Sequence, residues 1–76
     1  MTPVQCRMAR AALKWSTADL ATAAKMNSTT VNRFENGKDA YTSTASKLAS
    51  AFTDTGEIRF EGDEGVFYFG RPIATL

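Results

Sequence analysis

The stretch WSTADLATAAKMNSTTVNRFENGK, residues 15–38, decides how the chain is read. Ser16 and Asp19 have capping-box spacing, in which two side chains satisfy free amides at the start of a helix. Leu20, Ala23 and Ala24 then supply a small apolar face, which predicts a short helix over residues 17–24. Lys25, Met26 and Asn27 interrupt that pattern. Asn27 is a strong cap, and Val31 and Phe34 fall on one side of the turns that follow, which predicts a second helix over residues 28–35. Asn36 and Gly37 end it, because glycine accepts left-handed backbone just past a helix.

Working outward, Thr2 before Pro3 is a helix-start pair: the hydroxyl can cap, and proline has no amide to lose at the first helical position. Cys6, Ala9, Arg10 and Leu13 recur at helical spacing, predicting a first helix that continues to Lys14. After the central stretch, Thr42 or Ser43 can cap a fourth helix whose inward residues are Ala45, Leu48, Ala49 and Phe52, ending at Thr55 and Gly56. Beyond it the period changes to two. Ile58 and Phe60 alternate with Glu57, Arg59 and Glu61, residues 62–65 turn the chain, and Val66, Phe67, Tyr68 and Phe69 return it as a β-hairpin. With Asp63 and Glu64 at the tip, Phe60 faces Phe67 and Ile58 faces Phe69 toward the helices, while Arg59 faces Tyr68 and Glu61 faces Val66 on the other side. The expected fold is mainly α: a four-helix core over residues 1–56, a hairpin over 57–70 in the same domain, and a flexible tail over 71–76.

Seventy-six residues, 43% hydrophobic and 22% charged, make one ordinary globular domain of marginal stability. One cysteine and no histidine leave neither an internal disulfide nor a zinc site as a staple, so oligomerisation remains. No apolar run is long enough to cross a bilayer, and residues 1–15 lack the apolar block of a signal peptide, so a cytoplasmic location and no membrane partner are expected. Charge is divided unevenly. Residues 1–50 carry seven Lys/Arg against three Asp/Glu (7 − 3 = +4), and residues 51–76 carry two against five (2 − 5 = −3). That asymmetry fits a nucleic-acid-facing part joined to one that faces away. With no histidine, no glycine-rich phosphate loop and no inward pair of carboxylates, neither an enzyme nor a cofactor is expected; Glu61, Asp63 and Glu64 read as a solvated turn. Cys6 reads as a small buried hydrophobe, and Trp15 as a residue packing the first turn.

Two short helices about a tight turn, braced by a helix on either side, form a helix-turn-helix arrangement, in which the second lies in the DNA major groove. Leu13, Trp15-Ser16, Asp19-Leu20-Ala21, Ala24, Asn27, Val31, Arg33-Phe34-Glu35-Asn36-Gly37 and Lys38 together resemble the lambda-repressor-like family, also called the Cro/C1 or Xre type, over about residues 4–55. The resemblance implies a positioning helix at 17–24 and a recognition helix at 28–35. Ser28, Thr29, Asn32 and Arg33 are then the base-reading candidates, because Val31 and Phe34 must point inward. Phosphate contacts are assigned to Thr17, Asn27, Thr30, Asn36, Lys38 and Ser43. Arg10 and Glu35 match a pair that in the family joins the first helix to the end of the recognition helix. Lys25 stands where relatives often have glycine, and Thr17 and Ser28 where they often have glutamine.

The implied function is that of a transcriptional regulator, a repressor occupying a two-fold DNA site. A lone hairpin with an open edge invites a second copy, so a homodimer is expected through Ile58, Phe60, Val66, Phe67, Tyr68 and Phe69. The rival reading is a protein-interaction module, antirepressor or antitoxin-like, that uses the same fold to hold a regulatory protein partner.

Overall fold

The computed structural model describes residues 1–38 and 41–70. Four helices precede one antiparallel hairpin: α1 (Pro3–Leu13), α2 (Thr17–Ala24), α3 (Ser28–Glu35), α4 (Thr42–Thr53), β1 (Ile58–Glu61) and β2 (Gly65–Tyr68). The expected helical core with a C-terminal hairpin is present. The expected tail over 71–76 lies outside the described residues.

Local chemistry accounts for most helix ends. The Thr2 hydroxyl accepts from the Gln5 amide at 3.2 Å, and the Gln5 carboxamide accepts from the Thr2 amide at 2.9 Å, closing a capping box ahead of Pro3. Ser16 and Asp19 repeat the device at 3.0 and 2.9 Å, and Asn27 accepts from the Thr29 amide at 2.8 Å. Lys14 and Lys25 end α1 and α2 with left-handed backbone, φ 59° and 58°. A side chain there costs roughly 1 kcal/mol, and Lys14 caps α1 instead of continuing it. Gly37, at φ 73°, follows α3 without that cost.

The start and end of α4 differ from expectation. Tyr41, not Thr42 or Ser43, holds the cap position and makes no side-chain cap bond; its carbonyl accepts from Thr44 and Ala45 at 3.2 and 3.4 Å. Thr42 and Ser43 are therefore exposed residues of the first turn. The helix stops at Thr53, two residues early, because the Thr55 hydroxyl donates to the Phe52 carbonyl at 2.7 Å and Gly56 turns left-handed at φ 76°.

Cys6, Ala9, Leu20, Ala21, Val31, Phe34, Leu48, Ala51, Phe52 and Ile58 form the core. Phe52 is its joint: Trp15 stacks on it at 5.7 Å and Phe60 meets it edge-on at 6.0 Å, so one ring bridges the α1–α2 connection and the hairpin.

The hairpin register corrects the sequence reading by one residue. Ile58 pairs with Tyr68, Arg59 with Phe67, Phe60 with Val66 and Glu61 with Gly65. The cause is loop length. Residues 62–64 all lie in the turn, with Gly62 at φ 57°, where a two-residue tip was expected. Side chains alternate strictly along a strand, so one extra loop residue sends the returning strand's side chains to the opposite face. Val66 therefore turns inward with Ile58 and Phe60, and Phe67 and Phe69 turn outward with Arg59.

Gln5 fastens this hairpin to α1. Fully buried, it donates from its carboxamide to the Gly62 and Gly65 carbonyls, each at 2.9 Å, while the Thr2 hydroxyl donates to the Asp63 carbonyl at 3.1 Å. Gln5→Leu keeps the volume but leaves two turn carbonyls and the Thr2 amide without this partner. We expect a loss of about 2–3 kcal/mol of unfolding free energy, read from the shift of the urea midpoint, with hairpin amides exchanging before those of α2 and α3.

Candidate nucleic-acid interface

Val31, Phe34 and Glu35 are buried and define the inner side of α3. At about 100° per residue, the direction opposite them falls on Thr29, flanked by Asn32 and Arg33. All three are exposed, whereas Ser28 and Thr30 are half-buried at the margins. The four base-reading candidates thus divide into three outward side chains and one at the edge.

Among the residues assigned to phosphate, Asn27, Asn36, Lys38 and Ser43 are exposed, and Thr17 is half-buried in the first turn of α2. Asn27 already uses its carboxamide oxygen to cap α3. The Arg33 guanidinium lies 3.5 Å from the Lys38 carbonyl, a distance too long to restrain it strongly. Of the two carboxylates nearest to it in sequence, Asp39 lies outside the described residues and Glu35 is engaged by Arg10.

Glu35 is the only carboxylate of α3, and it is turned inward. Arg10 grips it through two bonds, Nε to Oε2 at 2.8 Å and Nη2 to Oε1 at 2.9 Å, and the Cys6 thiol donates to Oε2 at 3.2 Å. The Arg7 guanidinium donates to the Glu35 carbonyl, and Arg10 also donates to the Trp15 carbonyl at 3.1 Å. The end of α3 is thereby fixed to α1 and to the start of α2. The inferred pairing of Arg10 with Glu35 is present; the roles of Arg7 and Cys6 carried no signal in the sequence.

These bonds set the titration of the cluster. Burial works to raise the Glu35 pKa, but the bonds from Arg10 and Cys6 and the charges of Arg10 and Arg7 outweigh it and hold it below the usual carboxylate range. Arg10 is held above its ordinary value by its bond to Glu35, against the opposing effect of burial. Burial first, then the bond to Glu35, pushes the Cys6 thiol upward, which makes it an unreactive donor. With the negative charge of Glu35 neutralised inside, the outward side of α3 carries hydroxyls, a carboxamide and a cation.

The residues expected at a dimer interface separate. Ile58 belongs to the core at 4% exposure and Phe60 packs against it, both facing the helices as the alternation of β1 required, and the register turns Val66 in beside them, so these three are covered within one copy. Phe67, Tyr68 and Phe69 are exposed.

Among the described residues, no group of three His, Cys, Asp or Glu is placed to hold a metal ion, and no helix is long and apolar enough to cross a membrane. An open groove of about 430 Å³ between α2 and α4 is lined mostly by small residues, with Lys25, Lys47 and Asp54 at its sides. Comparison with protein-family models and with curated proteins finds no match for this chain.

Arg10→Met leaves a mostly buried carboxylate without its main partner and is expected to lower stability by about 3 kcal/mol at neutral pH, read from denaturant unfolding. The folded-state pKa of Glu35 is depressed, so its contribution is present above the ordinary carboxylate range and lost as pH falls through the depressed value. Glu35→Gln should therefore flatten the acid side of the stability profile. An unchanged acid limb in that variant contradicts the assignment.

Proposed function

We propose that this protein is a sequence-specific DNA-binding transcriptional regulator of the lambda-repressor-like, Cro/C1 or Xre, helix-turn-helix kind. It acts as a repressor, occupying a two-fold operator as a homodimer in the cytoplasm. The observation that carries this reading is α3 itself: an eight-residue rod with its apolar side and only carboxylate buried, and Thr29, Asn32 and Arg33 outward.

In this reading α3 enters the major groove while α2 crosses the backbone. Arg33 bonds guanine O6 and N7 together, Asn32 pairs with the adenine edge, and Thr29 and Ser28 offer hydroxyls from the centre and margin of the face. Lys38, Asn36, Asn27, Thr17, Thr30 and Ser43 meet phosphates and set the register. The Arg10–Glu35 pair does no chemistry; it fixes the angle at which α3 leaves the body. Half-sites lie about 34 Å apart, one helical turn. With few cations per subunit, affinity falls with salt on a modest slope.

The exposed aromatic face of the hairpin favours a second reading, in which the same fold holds a regulatory protein as an antirepressor or antitoxin-like module.

Selection of bound sites from random duplexes tests the first reading, which expects symmetric winners. Arg33→Ala should then lose about 1–3 kcal/mol and relax one base position, whereas Lys38→Ala should weaken all duplexes alike and lower the salt slope by about 1. Full activity in both variants, or no enriched site, would favour the second reading.

A further inference from the structure

Among the described residues, the large apolar side chains left most exposed are Val4, Met8, Tyr41, Phe67, Tyr68 and Phe69. All but Tyr41 lie on α1 or on β2 and its continuation, where the Phe69 amide donates to the Glu57 carbonyl at 2.8 Å. Because α1 packs along β2, Val4 and Met8 lie on the element next to the strand that carries Phe67 and leads to Phe69, whereas Tyr68, paired with Ile58, belongs to the opposite face of the hairpin.

Helix and hairpin differ in charge. Along α1, Val4, Met8 and Ala11 share one exposed flank, Arg7 lies on the next, and Lys14 follows just past the helix end, so that side is apolar and cationic. The outward hairpin face is aromatic, with Arg59 and Glu61 on it and an anionic turn at its end. Phe67 and Phe69 stand under the Arg59 guanidinium, 4.7 and 5.8 Å from their ring centres, with Glu61 on the same face and Asp63 and Glu64 exposed at the turn.

We propose that a second copy of this chain covers this surface, with α1 of each copy lying on the outward hairpin face of the other. The proposal rests on the homodimer put forward above and names its contact. A two-fold axis brings one patch onto another and repeats the match in reverse. Hairpin on hairpin would offer Glu61, Asp63 and Glu64 no cation from the other copy except Arg59, which already lies over Phe67 and Phe69. Helix on hairpin instead sets Arg7 and Lys14 against those carboxylates, and Val4 and Met8 against Phe67 and Phe69.

Val4, Met8, Phe67 and Phe69, each 43–51% exposed, offer on the order of 300–400 Å² of apolar contact per copy. The charged rim brings this toward the roughly 800 Å² per partner of a stable interface. The arrangement also leaves α3 free, since α3 packs on α1 and α2 while the hairpin packs on α1 and α4.

The test uses the whole chain: solution mass by sedimentation equilibrium for the wild type, Met8→Asp, Phe67→Lys and an equimolar mixture of the two variants, with circular dichroism to show that each is folded. The wild type should be a dimer at micromolar concentration, each variant should dissociate at least tenfold more readily, and the mixture should recover the dimer. Recovery follows because the new carboxylate on one α1 meets the new ammonium on the other hairpin, and the second contact is native. A monomeric wild type, a Met8→Asp protein that dimerises normally, or two dissociated variants that fail to rescue each other overturns the proposal. Duplex binding measured in parallel separates the two ideas. A monomer that binds selected DNA through Arg33 removes only this contact, whereas a dimer rescued as described that binds no duplex removes only the DNA reading.

Discussion

The bond between Arg10 and the Glu35 carboxylate is the constraint around which the rest of the molecule is arranged. An eight-residue helix has little stability of its own and takes its orientation from what holds its ends. Asn27 caps one end of α3, and Glu35, held by Arg10, Cys6 and Arg7, anchors the other. Because Arg10 also reaches the Trp15 carbonyl, and Trp15 stacks on Phe52, the polar clamp is continuous with the core. A buried pair of this kind adds little net stability compared with apolar packing, but it permits one geometry and disfavours neighbouring ones. The outer face of α3 is then rigidly displayed.

What was legible in the sequence was what local chemistry decides. The limits of α2 and α3 agree with expectation residue for residue, because each is set by a polar cap within three positions of the helix start and a turn just past its end. The outward set Thr29, Asn32 and Arg33 follows from Val31 and Phe34 by helical geometry alone. What was not legible depends on counting or on distance. Loop length in the hairpin cannot be read from Gly62, Asp63, Glu64 and Gly65, which suit a two-residue and a three-residue turn equally well, yet that one residue decides whether Phe67 is inside or outside.

Gln5 shows the same division within a single side chain. Its spacing from Thr2 is that of a capping box and could have been recognised from composition and position. Its second role, bonding to carbonyls at Gly62 and Gly65, depends on where the hairpin lands and has no local signature. The consequence for the surface is direct: with the turn held against α1, the strand that presents Phe67 and Phe69 lies beside Val4 and Met8.

The Gln5 bonds also govern timing. Most contacts of this helical core are close in sequence and form quickly, but those of Gln5 span 57 and 60 positions. Until the hairpin closes, its carboxamide must stay hydrated, so the interior beside α1 cannot be sealed by helix packing alone. Final dehydration of the core beside α1 therefore waits for the hairpin to dock on that helix, a step that also closes the Thr2–Asp63 bond across 61 positions.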